Sequence, residues 1–421
     1  MIYLDHAAAT PVDERVLEAM KPYFAQEFFN PSAAYLPAKK VAADYEAAKA
    51  TIAHAIGAKA SDLVMTAGAT EANNLALGAV TGRTPSDSFS GHAVAPAHRY
   101  GGRAASTSAV ASGDPRKVSD GALSLISHHV LYLVTEHDSV RKVAERYGGQ
   151  SIAVLQSGVI DLDDLKAKIT DDTELISVSL VNNELGTIQP LAEIAGLVRE
   201  IRFDRLRRGV RRQLLLHSDA SQALNLLDVN VARLGVDLMT LNAAKIYGPK
   251  GIGALYVSHD VRLSPLTYGG GQENGLRSGT ENVPGVIGFA KAVELAKEHL
   301  NGNRKKYANW RKILISELQG YELINHKHCL DNFVVLCYNG IDAERLIYLL
   351  EDRGVYVSTG AACAASKGVR SHVLAAIGLS DAQIAGSLRL TLGETNDETQ
   401  IHEAARILNE VVLEERERVN G

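Results

Sequence analysis

Short apolar runs alternate with stretches of helical period along the first 260 or so residues. DLVMTAG (62–68) reads as a buried strand and ATEANNLALGAV (69–80) as the helix that follows it. HVLYLVTEH (129–137), ELISVSLVNNELG (174–186), QLLLHSDASQA (213–223), VDLMTLNAA (236–244) and GIGALYV (251–257) read as further strands, with PLAEIAGLVREI (190–201) as a helix. Near-continuous apolar strands are those buried on both faces. Alternating with helices, they predict a mostly parallel sheet covered by helices on both sides.

After about residue 260 the rhythm changes. Two helical stretches (284–300 and 309–320) precede a strand at NFVVLCY (332–338), a helix at 342–354, VYVST (355–359), a strand at SLRLTLG (387–393) and a last helix over about 396–418. This predicts a smaller α+β domain built from 1–14 and 261–421, beside a large domain over 15–260. Two segments break the pattern. Residues 82–127 are rich in Gly, Ser, Ala and Pro and read as a disordered insertion, the alternative being a functional flap. VREIRFDRLRRGVRR (198–212) carries seven arginines and reads as a solvated helix face, the alternative being a dock for an acidic partner.

Composition narrows the classes. A formal net charge of −5 gives no general affinity for nucleic acid. No apolar run reaches the roughly 18 residues that cross a membrane, and MIYLDHAAATP does not read as a signal peptide. Three cysteines, Cys329, Cys337 and Cys363, without CxxC spacing predict neither a disulfide framework nor a zinc site and suit a reducing cytoplasm.

The chemistry lies at the predicted strand ends. Gly68 leads into a helix whose first N–H groups suit a phosphate, although a strand–helix turn through Gly is common. Asp219 closes an apolar strand, where a carboxylate is costly without a partner; an N-cap is the plainer reading. Lys245 follows another apolar strand, between Ala244 and the turn YGPKGIG. An amine held among apolar groups suits nucleophilic use, against the commoner case of a snorkelling surface lysine. Together these three meet the needs of pyridoxal 5′-phosphate: a lysine for the Schiff base, an acid for the ring nitrogen and a helix start for the phosphate.

At these residues the chain resembles the NifS/IscS-like cysteine desulfurases of the class-V aminotransferase family. The resemblance is carried in order by YLDHAAATP (3–11), NPSA (30–33), TAGATEANNLA (66–76), TEHDSV (135–140), VNNELGTIQP (181–190), SDASQA (218–223), AKIYGPKGIGALYV (244–257), GGGQENGLRSGTENV (269–283), STGAACAAS (358–366) and SLRLTLG (387–393). It implies an α/β chain of fold type I, with a mostly parallel seven-stranded sheet and a smaller C-terminal domain. By this resemblance His137 stacks on the cofactor ring and serves as acid and base. Asp219 pairs with the ring nitrogen, Gln222 reaches the phenolic oxygen, Ala69, Thr70 and Asn242 serve the phosphate, and Lys245 carries the cofactor. Asn183 and Arg389 hold the substrate carboxylate region. The residue matching Thr280 reaches the cofactor of the other subunit, which implies a homodimer.

Cys363, in a loop of small residues, matches the cysteine that takes up sulfur as a persulfide. Lys367 and Arg370 nearby favour its thiolate. Cys337 and Cys329 read as inert. The implied activity is removal of sulfur from L-cysteine to give L-alanine, with transfer to an iron–sulfur scaffold or a tRNA-thiolation protein. A selenocysteine lyase, another aminotransferase, or a non-catalytic scaffold are the other readings. The chain departs from the family where Asn242-Ala243-Ala244-Lys245 stands for Ser-x-His-Lys, which predicts weaker cofactor retention, and at Tyr35, where the family commonly has histidine.

Overall fold

The computed structural model describes residues 1–80, 129–325, 327–359 and 370–420. The insertion at 82–127 and Cys363 lie outside the described residues. The central sheet has seven strands, in the spatial order β2 (Leu63–Thr66), β8 (Gly253–Val257), β7 (Leu238–Asn242), β6 (Leu215–Asp219), β5 (Thr173–Ser177), β3 (His129–Leu133) and β4 (Gln150–Ile152). β8 runs antiparallel to both of its neighbours, and every other pairing is parallel. Its direction follows from connectivity. A short turn after β7 returns the chain at once, whereas a parallel neighbour needs a crossover.

The apolar runs overshoot the strands in a consistent way. The sheet ends at Leu133, Ser177, Asp219 and Asn242, while the runs continue into polar residues. Those extra residues form the loops at the carboxyl edge, where open α/β sheets place their ligands. The seventh strand, β4, contributes only Ile152 to the interior and has no apolar run to announce it.

The smaller part holds a three-stranded antiparallel sheet, β12 (Ser387–Thr391), β10 (Phe333–Cys337) and β9 (Glu322–Leu323). Beside it β1 (Ile2–Tyr3) pairs in parallel with β11 (Val355–Tyr356). The two helical stretches expected at 284–300 and 309–320 are one helix, Val283–Glu317. A glycine inside a helix costs about 1 kcal/mol. Gly302 is absorbed because Tyr307, Trp310 and Leu314 are buried beyond it.

The arginine-rich segment is largely matched within the chain. Arg202 pairs with Asp237, Arg208 with Asp171 and Asp204, and Arg212 lies near Asp172 and Glu174. Arg205 departs from the solvated reading: it is buried and donates to the carbonyls of Thr170 and Thr173.

Candidate active site

A cavity of about 930 Å³ opens at the carboxyl edge of the sheet. Its lysine wall starts at β7, where the Asn242 side chain accepts from Ala244 N at 3.2 Å and caps the turn Ala243–Lys245. Lys245 Nζ donates to the carbonyls of Ala7 (2.9 Å) and Ala8 (2.6 Å). The N-terminal segment therefore straps the lysine turn. Thr10 Oγ1 donates to Ala244 O at 3.1 Å and accepts from Tyr247 N at 2.9 Å. Tyr247 is buried with φ 62°, a left-handed conformation that costs a residue other than glycine about 1–3 kcal/mol and persists only where its surroundings hold it.

The acid wall is a chain of side chains. Asp219 Oδ1 accepts from Ser221 N (2.9 Å), and its Oδ2 accepts from Asn73 Nδ2 (2.7 Å). Asn73 gives its second hydrogen to Ser139 Oγ (2.8 Å), and Ser139 Oγ lies 2.8 Å from His137 Nδ1. Ser139 N also donates to that Nδ1, at 3.1 Å. Nδ1 is thus an acceptor, and in the neutral ring the hydrogen sits on Nε2. His137 stands exposed at the cavity as the N-cap of the helix Asp138–Arg146.

Behind this wall Glu136 is fully buried. Burial first, and then the charge of Asp219, push its carboxyl up to about 8, against the opposing influence of the Ser177 hydroxyl and the Ser179 N–H. His217, also fully buried, is driven down to about 4 by burial, with Asp219 opposing.

At the anion end the helix Ala69–Val80 points its first turn at the cavity, which Ala69 and Thr70 line. Gly68 has φ 142°, and a Cβ on Gly253 would come within 2.8 Å of the Gly68 backbone, so both positions need glycine. At the far end Arg389, almost wholly buried, donates to Asn183 O (2.7 Å) and pairs with Asp5 Oδ1 (2.6 Å). Glu184 beside it accepts from Ser371 Oγ at 2.5 Å, and burial raises its carboxyl. His372 Nε2 lies 3.0 Å from the Glu136 carbonyl.

Nine of the expected residues line this one cavity: Ala69, Thr70, His137, Asn183, Asp219, Gln222, Asn242, Lys245 and Arg389. Thr280 does not; it lines a separate small pocket with Tyr45 and Glu273. Arg370 is ion-paired with Asp381 at 2.5 Å. Sequence reading missed Asn73, Ser139, Glu136 and Asp5. Asn73 lies four positions after Ala69, one helical turn on. Nothing in sequence tells that its two hydrogens reach β6 and the helix at 138.

The walls suit pyridoxal phosphate. An acid stands behind one side, a helix start and a lysine face the interior, and the buried Ser179 Oγ and Ser221 Oγ on the wall have no partner among the described residues. Such orphans fit a polar guest.

Residues 2–89 and 125–403 match the family "Aminotransferase class-V", the break falling within the insertion. The chain is 35% identical to cysteine desulfurase IscS 1 of Archaeoglobus fulgidus, over 98% of this chain and 97% of that protein. Among solved structures it is similar to a NifS-like protein, with a TM-score of 0.79, 28% identity and coverage of 98% and 99%. It is similar also to SspA in complex with cysteine, with a TM-score of 0.73, 30% identity and coverage of 93% and 99%. With motifs, fold and cavity in agreement, this chain belongs to the class-V aminotransferase family and, within it, to the NifS/IscS-like cysteine desulfurases.

Proposed function

We propose that this protein removes sulfur from L-cysteine with pyridoxal 5′-phosphate as cofactor and passes it on from Cys363. The single observation that carries the site assignment is the convergence of Lys245, Asp219, His137, the start of the helix Ala69–Val80 and Arg389 on one cavity. The relative solved with cysteine supports the substrate class. The bound cofactor supplies a sink for the electron pair released at the substrate Cα.

This chain's residues do the rest. The N–H groups of Ala69 and Thr70, with the Asn242 side chain, hold the phosphate. Asp219 holds the ring nitrogen, and Gln222 the phenolic oxygen. Arg389 and Asn183 orient the substrate carboxylate, the guanidinium being fixed beforehand by Asp5. Lys245 carries the cofactor and then moves the Cα proton, while His137 exchanges protons through Nε2. The Cys363 thiolate attacks the substrate sulfur. The carbon–sulfur bond breaks, its electron pair stays with carbon, and carbon takes a proton. Cysteine plus enzyme thiol thus become alanine plus enzyme persulfide, with no outside oxidant.

Both flanks of the segment that carries Cys363 reach the site: Ser358 pairs with Arg389 along the backbone, and His372 lines the cavity. Thr280, away from its own cavity, serves a second subunit in a homodimer. The sulfur acceptor is a protein of iron–sulfur assembly or tRNA thiolation. The division at about residues 14 and 260 into two domains, and a cytoplasmic setting, complete the reading.

The test is an absorbance spectrum with added pyridoxal phosphate, followed by L-cysteine under reductant. Equal alanine and sulfide are expected, together with a cofactor band that responds to the substrate. C363S should keep the band and lose sulfide release. Catalytic alanine formation by C363S with a thiol acceptor would remove Cys363 from the mechanism.

A further inference from the structure

A second chain of polar side chains lies behind Asp219. Glu136 Oε1 is 3.2 Å from Ser177 Oγ, Ser177 Oγ is 2.9 Å from His217 Nδ1, and His217 Nε2 is 3.1 Å from Thr240 Oγ1. All four residues are buried to the last percent. Glu136 Oε2 has no partner among the described residues.

Hydrogen counting allows two protonation states, and burial decides between them. Ser177 has one hydroxyl hydrogen and stands between two groups able to accept it. If Glu136 carries a proton, it donates to Ser177 Oγ, Ser177 donates to His217 Nδ1, and His217 Nε2–H donates to Thr240. The three bonds of the chain are then made, and His217 stays neutral. If Glu136 is ionised, Ser177 turns to it, His217 changes tautomer and Thr240 donates to Nε2, so the same three bonds are made. Glu136 Oε2 has no partner among the described residues in either state, and on ionisation it shares a negative charge in a fully buried place beside Asp219. An ionised group so placed is far costlier to bury than a neutral acid. Two carboxylates that share a site do not both ionise readily.

The groups that face Glu136 supply no opposing charge of their own. From β6 come Asp219, of like charge, and His217, kept neutral by burial. His137 follows it in the chain, with Nδ1 engaged by Ser139. His372 meets only its carbonyl.

We propose that Glu136 is a positioning residue which carries a proton at neutral pH, so that the one negative charge on this wall stays on Asp219. The inference rests on the reading of Asp219 as partner of the ring nitrogen. A protonated ring is held by a single, undivided carboxylate charge, and Glu136 serves it by staying neutral while it orders the Ser177–His217–Thr240 chain.

Infrared spectroscopy of the full chain tests this directly. A protonated-carboxyl band is expected at pH 7 in the parent-minus-E136Q difference spectrum, which sets aside the second buried carboxyl, Glu184, and this band is lost as pH rises through about 8. No such pH-dependent band overturns the proposal. Thermal unfolding gives a second readout. A folded pKa raised above the ordinary 4.5 means that the native state holds an extra proton between there and about 8, so native stability falls as pH rises through that window. E136Q removes this dependence. Its Tm relative to the parent should therefore climb from pH 5 to pH 8, and a difference that does not vary with pH overturns the proposal. Cofactor titration separates the two readings: unchanged affinity in D219N would remove the ring-nitrogen role, while the infrared band would still report the proton on Glu136.

Discussion

The two walls of the cavity hold their reactive groups by different means. On the acid wall, Asp219 and His137 are linked to each other through the buried side chains of Asn73 and Ser139, with the backbone N–H groups of Ser221 and Ser139 adding one bond to each. On the lysine wall, Lys245 rests on main-chain carbonyls of Ala7 and Ala8, and its turn is strapped by Thr10. The difference suits the two tasks. A charge that must stay in one place benefits from a fixed, water-poor network, where each hydrogen bond is strong and each missing one is costly. An amine that must leave its resting place and return benefits from neutral acceptors that release it cheaply. The carbonyls of Ala7 and Ala8 supply that.

The largest expected effect breaks the lysine wall at its centre. K245A should lower sulfide release by more than about 10³-fold, the scale of losing a group that both attaches the cofactor and moves a proton. The fold should persist, because Lys245 lines the cavity and is only half-buried. Parallel measurement of turnover and urea unfolding checks both halves. A variant with near-parental turnover would undo the role given to Lys245.

Next comes the acid wall. N73A takes away both hydrogens that tie Asp219 to Ser139. An acceptor carboxylate that loses a buried donor costs about 2–3 kcal/mol. Unlike K245A, N73A should therefore lower stability and turnover together, with the urea midpoint shifted down. If N73A leaves stability untouched while K245A lowers it, the contrast between the walls is reversed.

The two walls also differ in how far the sequence discloses them. Lys245 and Asp219 were legible because each closes an apolar run, and a charged residue at the end of a buried strand stands out. The order of motifs then placed His137, Gln222, Asn183 and Arg389, all of which meet at the cavity. The supports were not legible. Asn73 looks like any polar residue of an amphipathic helix, and Glu136 like the polar end of a strand. The contacts that matter to them join β6, the loop after β3 and two helices far apart in sequence. Asp5 and Thr10 sit in an N-terminal stretch whose local pattern says nothing of its crossing to residues 389 and 244. In the fold, the merging of 284–317 into one helix escaped for a related reason. Asn301 and Gly302 read locally as a break, and only the burial of Tyr307 and Trp310 beyond them carries the helix on.

The smallest effect sharpens the lysine side. Thr10 makes two bonds with one hydroxyl, accepting from Tyr247 N and donating to Ala244 O. T10A leaves a buried N–H without a partner at a residue already held at φ 62°. The expected loss is about 1 kcal/mol, the lower end of the cost of an unsatisfied buried donor, because the strap keeps Asp13 N on Tyr247 O at 3.0 Å. T10S retains the hydroxyl and should restore most of this. If the strap only adds stability, T10A will shift the urea midpoint and leave turnover alone. If it also sets where the amine comes to rest, turnover will fall in T10A and return in T10S, because Ala244 and Tyr247 flank Lys245 and a turn released on both sides no longer aims it. A loss that T10S does not repair would point to the threonine methyl, and so to packing, as what holds the turn.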